Sequence, residues 1–322
     1  MTMNEEDARH FAAAFERMVD AVSVALLGKQ DVVRLALTCM VSGGHLLLED
    51  LPGTGKTSLA RAIARSVAGT SARIQFTPDL LPSDITGVQI YDQRQQRFEF
   101  VPGPVFHSIV LADEINRASP KTQSALLEVM EEGRVTVDGQ THEVGRPFMV
   151  IATQNPIDNA GTYPLPEAQI DRFLMRTALG YPDRDSLMQV LSGVSLRDRT
   201  ELVQPAITAP MVEELGRVAD HVMVRDEVLG YVSDIADVSR EHPKVKLGVS
   251  TRGCLAYVRA AKTWAAADGR PFVTPDDIRR LAVPVLGHRI RLSQEARLNG
   301  DDVETVIDDI FIDVKAPLRR AV

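Results

Sequence analysis

Short apolar runs alternate with helical sequence over the first half of the chain. Three runs, at 45–49, 109–112 and 148–152, have the character of strands buried in a parallel sheet. Helical sequence follows the first run at 56–67 and lies between the other two at 121–132. Strands that alternate with helices predict an α/β fold built on a parallel sheet.

Other patterns flank these runs. Two helices are predicted ahead of the first strand, at about 8–27 and 30–40, on either side of Gly28. Residues 134–144 alternate around a central Asp138-Gly139 and predict a β-hairpin. Residues 91–100, which precede Pro102-Gly103-Pro104, indicate a second hairpin.

Helical periodicity dominates after residue 182. Helices are predicted at 211–224, 227–240, 254–267 and 275–283, and Thr274-Pro275-Asp276-Asp277 is a typical helix start. We therefore expect a domain boundary near residue 182, with an α/β core at 1–182 and a helical domain at 183–322.

The amino-acid composition disfavours some classes of function. The 322 residues include 36 Lys and Arg against 44 Asp and Glu, a net charge of −8, and aromatic residues make up 5%. An acidic chain with few aromatic residues lacks the features of a general nucleic-acid binder, so we expect no nucleic-acid partner. The sequence has no apolar run long enough to span a membrane and no apolar N-terminal targeting segment, so we expect a cytoplasmic protein.

A phosphate-binding loop is predicted between the first strand and the helix that follows it. Asp50-Leu51-Pro52-Gly53-Thr54-Gly55-Lys56-Thr57 matches the pattern G-x-x-x-x-G-K-[ST] except at Asp50. The glycines would let backbone N–H groups approach phosphate oxygens, Lys56 would neutralise the β- and γ-phosphates, and the Thr57 hydroxyl would bind Mg²⁺. The alternative is a chance loop at a helix start. The predicted nucleotide-binding residues are Leu51, Pro52, Gly53, Thr54, Gly55, Lys56, Thr57 and Ser58.

Two carboxylates end the second apolar run. Asp113 and Glu114 follow 109–112, and ligands of parallel sheets bind at the carboxyl ends of strands. Asp113 would hold Mg²⁺ through a water molecule, and Glu114 would orient or activate the water that attacks the γ-phosphate. The alternative is an acid pair that caps the turn between strand and helix.

Together these motifs resemble those of the AAA+ ATPases and, within them, the MoxR family. The resemblance covers essentially the whole chain. It is carried by the phosphate loop and by five further runs: Gln75–Gly87, Leu111–Ala118, Ala152–Pro156, Pro164–Phe173 and Gly248–Arg252. It implies an AAA+ core, a parallel sheet sandwiched by helices with the two hairpins as inserts, and a C-terminal all-α lid domain. In a ring the hairpins would face the pore or one rim; alternatively they only extend the sheet.

The resemblance also implies roles for two polar residues of the core. Asn155 is at the sensor 1 position, where its amide would contact the attacking water or the γ-phosphate, although Asn-Pro is also a turn former. Arg172 would be the arginine finger inserted into the site of the neighbouring subunit. Its alternative role is an intrachain ion pair with Asp171 or Glu167, and Arg176 is a less favoured finger.

Two further assignments come from the same resemblance. Arg252, in the first turn of a predicted lid helix, would be the sensor 2 residue that contacts the γ-phosphate, or else a surface arginine. Gly28 would lie where related ATPases contact the adenine through their backbone, although a helix C-cap explains this glycine equally well.

The resulting hypothesis is a MoxR-type AAA+ ATPase that hydrolyses ATP to ADP and phosphate with Mg²⁺. It would form a homo-oligomeric ring, expected to be a hexamer, because the finger needs a neighbouring site. The family implies a chaperone role in complex maturation or in cofactor and metal insertion, with a protein client and a von Willebrand factor A domain partner. The alternatives are a magnesium-chelatase-like motor subunit, a nucleotide-gated scaffold with little turnover and, least favoured, a motor that acts on DNA.

Overall fold

The computed structural model describes residues 2–51, 53–154, 162–192 and 198–317. It divides into two compact units. The core unit comprises Arg17–Arg172 and Thr177–Glu213, and the helical unit comprises Met1–Glu16, Phe173–Arg176 and Glu214–Val322. These units interleave along the chain, whereas the sequence predicts one boundary near residue 182, which stays a prediction.

The strands and short 3₁₀ helices are distributed over both units, and most of them lie in the core unit. The strands are β1 (Leu46–Glu49), β2 (Ser71–Gln75), β3 (Gly87–Asp92), β4 (Arg97–Pro102), β5 (Ile109–Asp113), β6 (Arg134–Val137), β7 (Gln140–Glu143), β8 (Met149–Gln154), β9 (Met175–Thr177), β10 (Val245–Leu247) and β11 (Arg291–Leu292). The 3₁₀ helices are Pro104–Phe106, Ile115–Arg117 and Arg199–Leu202.

The α-helices are distributed over the whole chain. They are α1 (Glu5–Ser23), α2 (Gln30–Val41), α3 (Lys56–Ser66), α4 (Pro82–Thr86), α5 (Pro120–Glu132), α6 (Glu167–Ile170), α7 (Arg184–Ser192), α8 (Ala209–Asp220), α9 (Asp226–Glu241), α10 (Thr251–Ala267), α11 (Pro275–Leu286), α12 (Gln294–Leu298) and α13 (Val303–Asp313). None of the helices in the described ranges combines the length and apolar character that a bilayer crossing requires.

Four neighbouring strands of one sheet form the centre of the core unit, in the order β2-β5-β8-β1. The pairs β2–β5, β5–β8 and β8–β1 are parallel, and every residue of β5 is buried. The three apolar runs of the sequence are β1, β5 and β8, so the predicted α/β fold is confirmed. Because β1, β5 and β8 run in the same direction, the residues that follow them lie at one edge of the sheet.

Both predicted hairpins are present as separate two-stranded sheets, β3–β4 and β6–β7. The turn of the second has positive φ at Asp138 and Gly139, the conformation that favours an Asp-Gly hairpin turn. The first begins at Gly87, four residues before the predicted start. The ring of Phe100 on β4 stacks on His142 of β7, with ring centroids 3.9 Å apart. The two hairpins therefore contact each other.

In the helical unit, the predicted helix start at Thr274 is a capping box. The Thr274 hydroxyl accepts a hydrogen bond from the Asp277 amide, and the Asp277 carboxylate accepts from the Thr274 amide. The Arg270 guanidinium also binds this buried carboxylate through two nitrogens. The start of α11 is therefore fixed by several hydrogen bonds.

The helical unit also holds the segment that follows Arg172. The buried Arg289 guanidinium donates to the carbonyl oxygens of Phe173 (2.7 Å) and Leu174 (3.1 Å). Nε2 of His288 lies 3.0 Å from the same Phe173 oxygen. Burial lowers the pKa of His288 well below its usual value, and the nearby Arg289 charge lowers the pKa further. His288 is therefore neutral at pH 7, and its Nε2–H donates to Phe173.

Candidate active site

The loop between β1 and α3 has the geometry of a phosphate cradle. Gly53 and Gly55 have φ of +82° and +101°, a region that other residues rarely adopt, and a side-chain carbon at Gly53 would meet open space. Lys56 begins α3 directly after Gly55. Amides in the first turn of a helix have no partner within the helix and attract anions. The loop therefore fits the phosphates of a nucleotide.

The other predicted loop residues surround this cradle. Thr54 is buried, and its hydroxyl donates to the Leu51 carbonyl oxygen at 3.3 Å. Nζ of Lys56 lies 3.4 Å from the Asp50 carbonyl oxygen, so the ammonium folds back over the loop. Thr57 and Ser58 lie in the first turn of α3 and are half-buried. Pro52 is outside the described residues.

Asp50, the departure from the sequence pattern, binds backbone amides. Its buried carboxylate accepts from the Leu51 amide through Oδ1 (3.0 Å) and from the amides of Leu179 (2.6 Å) and Gly180 (3.1 Å) through Oδ2. A glycine at this position could not make these contacts. Asp50 therefore ties the loop to the segment that follows β9.

We expect Asp50→Ala to lower the free energy of unfolding by about 2–4 kcal/mol, because it leaves the buried Leu179 amide and the half-buried Gly180 amide unpaired, and an unpaired buried group costs about 1–3 kcal/mol. Urea denaturation measures the change. Asp198→Ala is the matched control, since this more exposed carboxylate also accepts from a backbone amide, that of Thr200. Equal losses in the two variants would contradict the proposed tie.

The two acids lie where the sequence predicts, at the end of β5. Asp113 is buried, and its Oδ1 accepts a hydrogen bond from the Thr153 hydroxyl of β8 at 2.6 Å. The same hydroxyl accepts from the Glu114 amide at 2.9 Å. Glu114 has φ +56°, an uncommon conformation for this residue type. Thr153 therefore connects both acids to the neighbouring strand.

Three polar side chains that the sequence analysis did not single out contact these carboxylates. Nη2 of Arg73, on β2, lies 2.6 Å from Oδ2 of Asp113. Oε2 of Glu114 accepts from the Gln75 amide (3.0 Å) and from the Arg117 guanidinium (2.9 Å). The signal available in the sequence was the alternation of polar side chains in Arg73-Ile74-Gln75, which leads into the family-like run that begins at Gln75. Asp113 and Glu114 are both paired with cations in this structure.

The structure describes one of the two predicted residues of the core that follow β8 in the chain, Arg172 but not Asn155. Asn155 lies outside the described residues. Arg172 lies in the turn after α6, and its Nη2 is 2.6 Å from Oε2 of Glu131 on α5. The sequence did not suggest Glu131 as the acid in this ion pair. The finger role of Arg172 stays a prediction.

The structure shows the local surroundings of the last two predicted site residues, Gly28 and Arg252. Gly28 has φ +70°, and a side-chain carbon there would overlap the Ser186 hydroxyl, so close packing requires glycine whatever its role towards adenine. Arg252 is exposed in the first turn of α10 in the helical unit, where the Ser250 hydroxyl caps the helix by accepting from the Gly253 amide. The nucleotide contacts of both residues stay predictions.

Comparison with known proteins identifies the family. Residues 45–175 match the ATPase family associated with various cellular activities (AAA), and residues 238–310 match the AAA lid domain. Chaperone MoxR1 of Mycobacterium tuberculosis is 38% identical over 318 residues, which cover 95% of this chain and 83% of that protein. The chain belongs to the MoxR family of AAA+ ATPases.

Two further relatives agree with this membership. The uncharacterized protein YeaC of Bacillus subtilis is 47% identical over 305 residues, 95% of either chain. A crystal structure from Cytophaga hutchinsonii, of a protein provisionally assigned as an ATPase, superposes with a TM-score of 0.90 at 37% identity over 98% of both chains. The predicted AAA+ core and lid are therefore confirmed, and the chain is a nucleotide-binding, ATP-hydrolysing enzyme of this family.

The donors at the sheet edge also suit a magnesium ion. Thr57 is the second residue of α3, and Asp113 is the last residue of β5, which lies two strands from β1 in the sheet. Hydroxyl and carboxylate oxygens, together with nucleotide phosphates, are the usual ligands of this ion in nucleotide sites. Thr57 and Asp113 are therefore the residues that would hold Mg²⁺.

Proposed function

We propose that this MoxR-family ATPase works as a ring and uses ATP hydrolysis to remodel partner proteins. One observation carries the proposal: the phosphate cradle after β1 and the two acids after β5 belong to one sheet edge, with β8 between the strands. This arrangement supports the proposal that phosphate binding and water activation take place in one site.

Each residue has a distinct task in the proposed reaction. The amides of 53–57 bind the phosphates, and Lys56 neutralises charge on the β- and γ-phosphates. Glu114 accepts a hydrogen bond from the attacking water and draws its proton away, while Asn155 orients that water. Mg²⁺, held by Thr57 and Asp113, would neutralise developing phosphate charge. The loop amides, Lys56 and the metal ion would together stabilise the negative charge that develops on the phosphates.

Ring assembly follows from the proposed role of Arg172. A guanidinium that acts on the nucleotide of a neighbour needs a head-to-tail interface, and such an interface gives a ring when the rotation between subunits closes. We propose a hexamer in which Arg172 exchanges Glu131 for the γ-phosphate of the adjacent subunit. Arg252 would report the nucleotide state to the lid. The net charge of −8 favours a protein client over a nucleic acid, and we propose that the chain works in the cytoplasm.

The chaperone role is supported by a relative that is named a chaperone, MoxR1. We propose that the chain matures protein complexes, including cofactor or metal insertion, with a von Willebrand factor A domain protein as partner. A magnesium-chelatase-like motor subunit is the alternative within enzymes, and recovery of chelatase components in place of such a partner would favour it. A scaffold with little turnover would show no stimulation of ATPase by cell extract.

Capture of partners tests the remodelling function. Glu114→Gln, loaded with ATP, should retain a client and partner during affinity purification, because the ATP-bound state persists. Lys56→Ala is the control, since it should not bind the phosphates firmly. Recovery of the same proteins in the same amounts with both variants would contradict nucleotide-dependent client binding.

A further inference from the structure

Arg73 contacts the carboxylate that is assigned to the metal. It lies on β2, directly beside β5, and its Nη2 is 2.6 Å from Oδ2 of Asp113. Oδ1 of the same carboxylate accepts the Thr153 hydroxyl at 2.6 Å. Both carboxylate oxygens therefore have hydrogen-bond partners in this structure, and one of these partners carries a full positive charge.

A buried carboxylate of this kind needs a cation. The Asp113 side chain is 12% exposed, and removing a charge from water costs free energy unless an opposite charge offsets it. A guanidinium and a divalent cation beside the same carboxylate repel each other at such short range. Arg73 therefore opposes metal binding at Asp113 while it stays in contact with this carboxylate, and metal binding is favoured when Arg73 moves away.

The surroundings of Arg73 allow its side chain to move away from Asp113. Its side chain is 52% exposed, in contrast to the carboxylate it contacts. The same Nη2 also lies 2.9 Å from Oε1 of Gln75, which offers a second acceptor when Asp113 is taken. Release therefore places the guanidinium in water and beside Gln75 without leaving a buried charge.

We propose that Arg73 is a displaceable internal counter-cation that holds Asp113 in the metal-free protein and sets the Mg²⁺ concentration at which ATP binds. The inference rests on the proposed role of Asp113 as a metal ligand. Arg73 lowers the affinity for the ion by competing with it, and keeps the empty site from carrying an unpaired buried carboxylate. It is a positioning residue, and it makes ATP binding depend on the supply of free Mg²⁺.

A Mg²⁺ titration tests the inference through binding rather than turnover. The midpoint for binding a fluorescent, non-hydrolysable ATP analogue should fall about 3–10-fold in Arg73→Gln, the range expected when an ion pair at the surface and its repulsion of the metal are removed. Arg73→Lys keeps the charge and should stay within about twofold of the wild type. Arg61→Gln is the matched control, because Arg61 forms a comparable exposed ion pair with Asp198 at 2.9 Å.

The possible outcomes distinguish a failure of the role inferred for Arg73 from a failure of the metal role proposed for Asp113. An unchanged or higher midpoint in Arg73→Gln overturns the inference, as does an equal shift in Arg61→Gln. Asp113→Asn tests the metal role itself and should remove most of the Mg²⁺ dependence of analogue binding. If Asp113→Asn keeps the normal dependence, the proposed metal ligand is wrong. If Asp113→Asn loses the Mg²⁺ dependence but the midpoint of Arg73→Gln is unchanged, Asp113 keeps its role as a metal ligand and the role proposed for Arg73 is wrong.

Discussion

Glu114→Gln should bind ATP almost as tightly as the unmodified chain and hydrolyse it at least about 100-fold more slowly, the usual scale of general-base catalysis. The amide keeps the size of the side chain, and its oxygen can still accept from Gln75 and Arg117, which contact Oε2 of Glu114. It cannot take a proton from water. Single-turnover hydrolysis and nucleotide binding measure the two properties separately.

Glu132→Gln is the matched control for this prediction. Glu132 forms an exposed ion pair with Arg134 at 2.9 Å, the same separation as Glu114 and Arg117, and lies at the end of α5. Its variant should keep normal turnover. Turnover of Glu114→Gln within tenfold of the unmodified chain would remove Glu114 from its catalytic role.

The sequence predicts the parts of the fold that depend on local pattern. Buried strands of a parallel sheet are continuous apolar runs, so β1, β5 and β8 could be read directly from the chain. Hairpin turns and helix caps depend on a few residues with special backbone conformations, such as Asp138-Gly139 and Thr274. The phosphate loop combines both kinds of signal, because glycines interrupt the chain between a strand and a helix.

Strand β2 shows why other parts could not be predicted. Ser71–Gln75 carries mostly polar side chains, with Ile74 buried among them, so it lacks an apolar run. Its neighbour in the sheet, β5, lies about 40 residues further along the chain. The contacts of Arg73 and Gln75 with the acids follow from that pairing. Local periodicity contains no information about which strands become neighbours.

Asp50 and Arg289 illustrate the same limit for single residues. Asp50 looked like a defect in the phosphate-loop pattern, yet its carboxylate binds the amides of Leu179 and Gly180, some 130 residues away. The sequence analysis made no prediction for Arg289, which is buried and binds the carbonyl oxygens of Phe173 and Leu174. Such partners become visible only when the chain is folded.

Arg172→Ala should lower ATP turnover about 10³-fold or more, because a finger arginine stabilises transition-state charge and contributes about 10³–10⁵ in rate in other NTPases. Lys56→Ala should be inactive for a different reason, the loss of phosphate binding. Mixtures of the two variants test whether the finger acts between subunits. In a randomly mixed ring about one quarter of the sites should recover, since each of two adjacent positions carries the needed variant half the time.

The ion pair with Glu131 makes the experiment decisive. Arg172 is bound to Glu131 at 2.6 Å within its own subunit, so a loss of activity alone could come from a disturbed local structure. Glu131→Ala removes that ion pair but keeps the guanidinium, and it should retain most of the turnover if the arginine acts on a neighbouring nucleotide. Recovery in mixed rings, with mixing verified by mass spectrometry, would then place Arg172 in the active site of the adjacent subunit. A loss in Glu131→Ala equal to that in Arg172→Ala, with no recovery in verified mixtures, would make Arg172 a structural residue of its own chain.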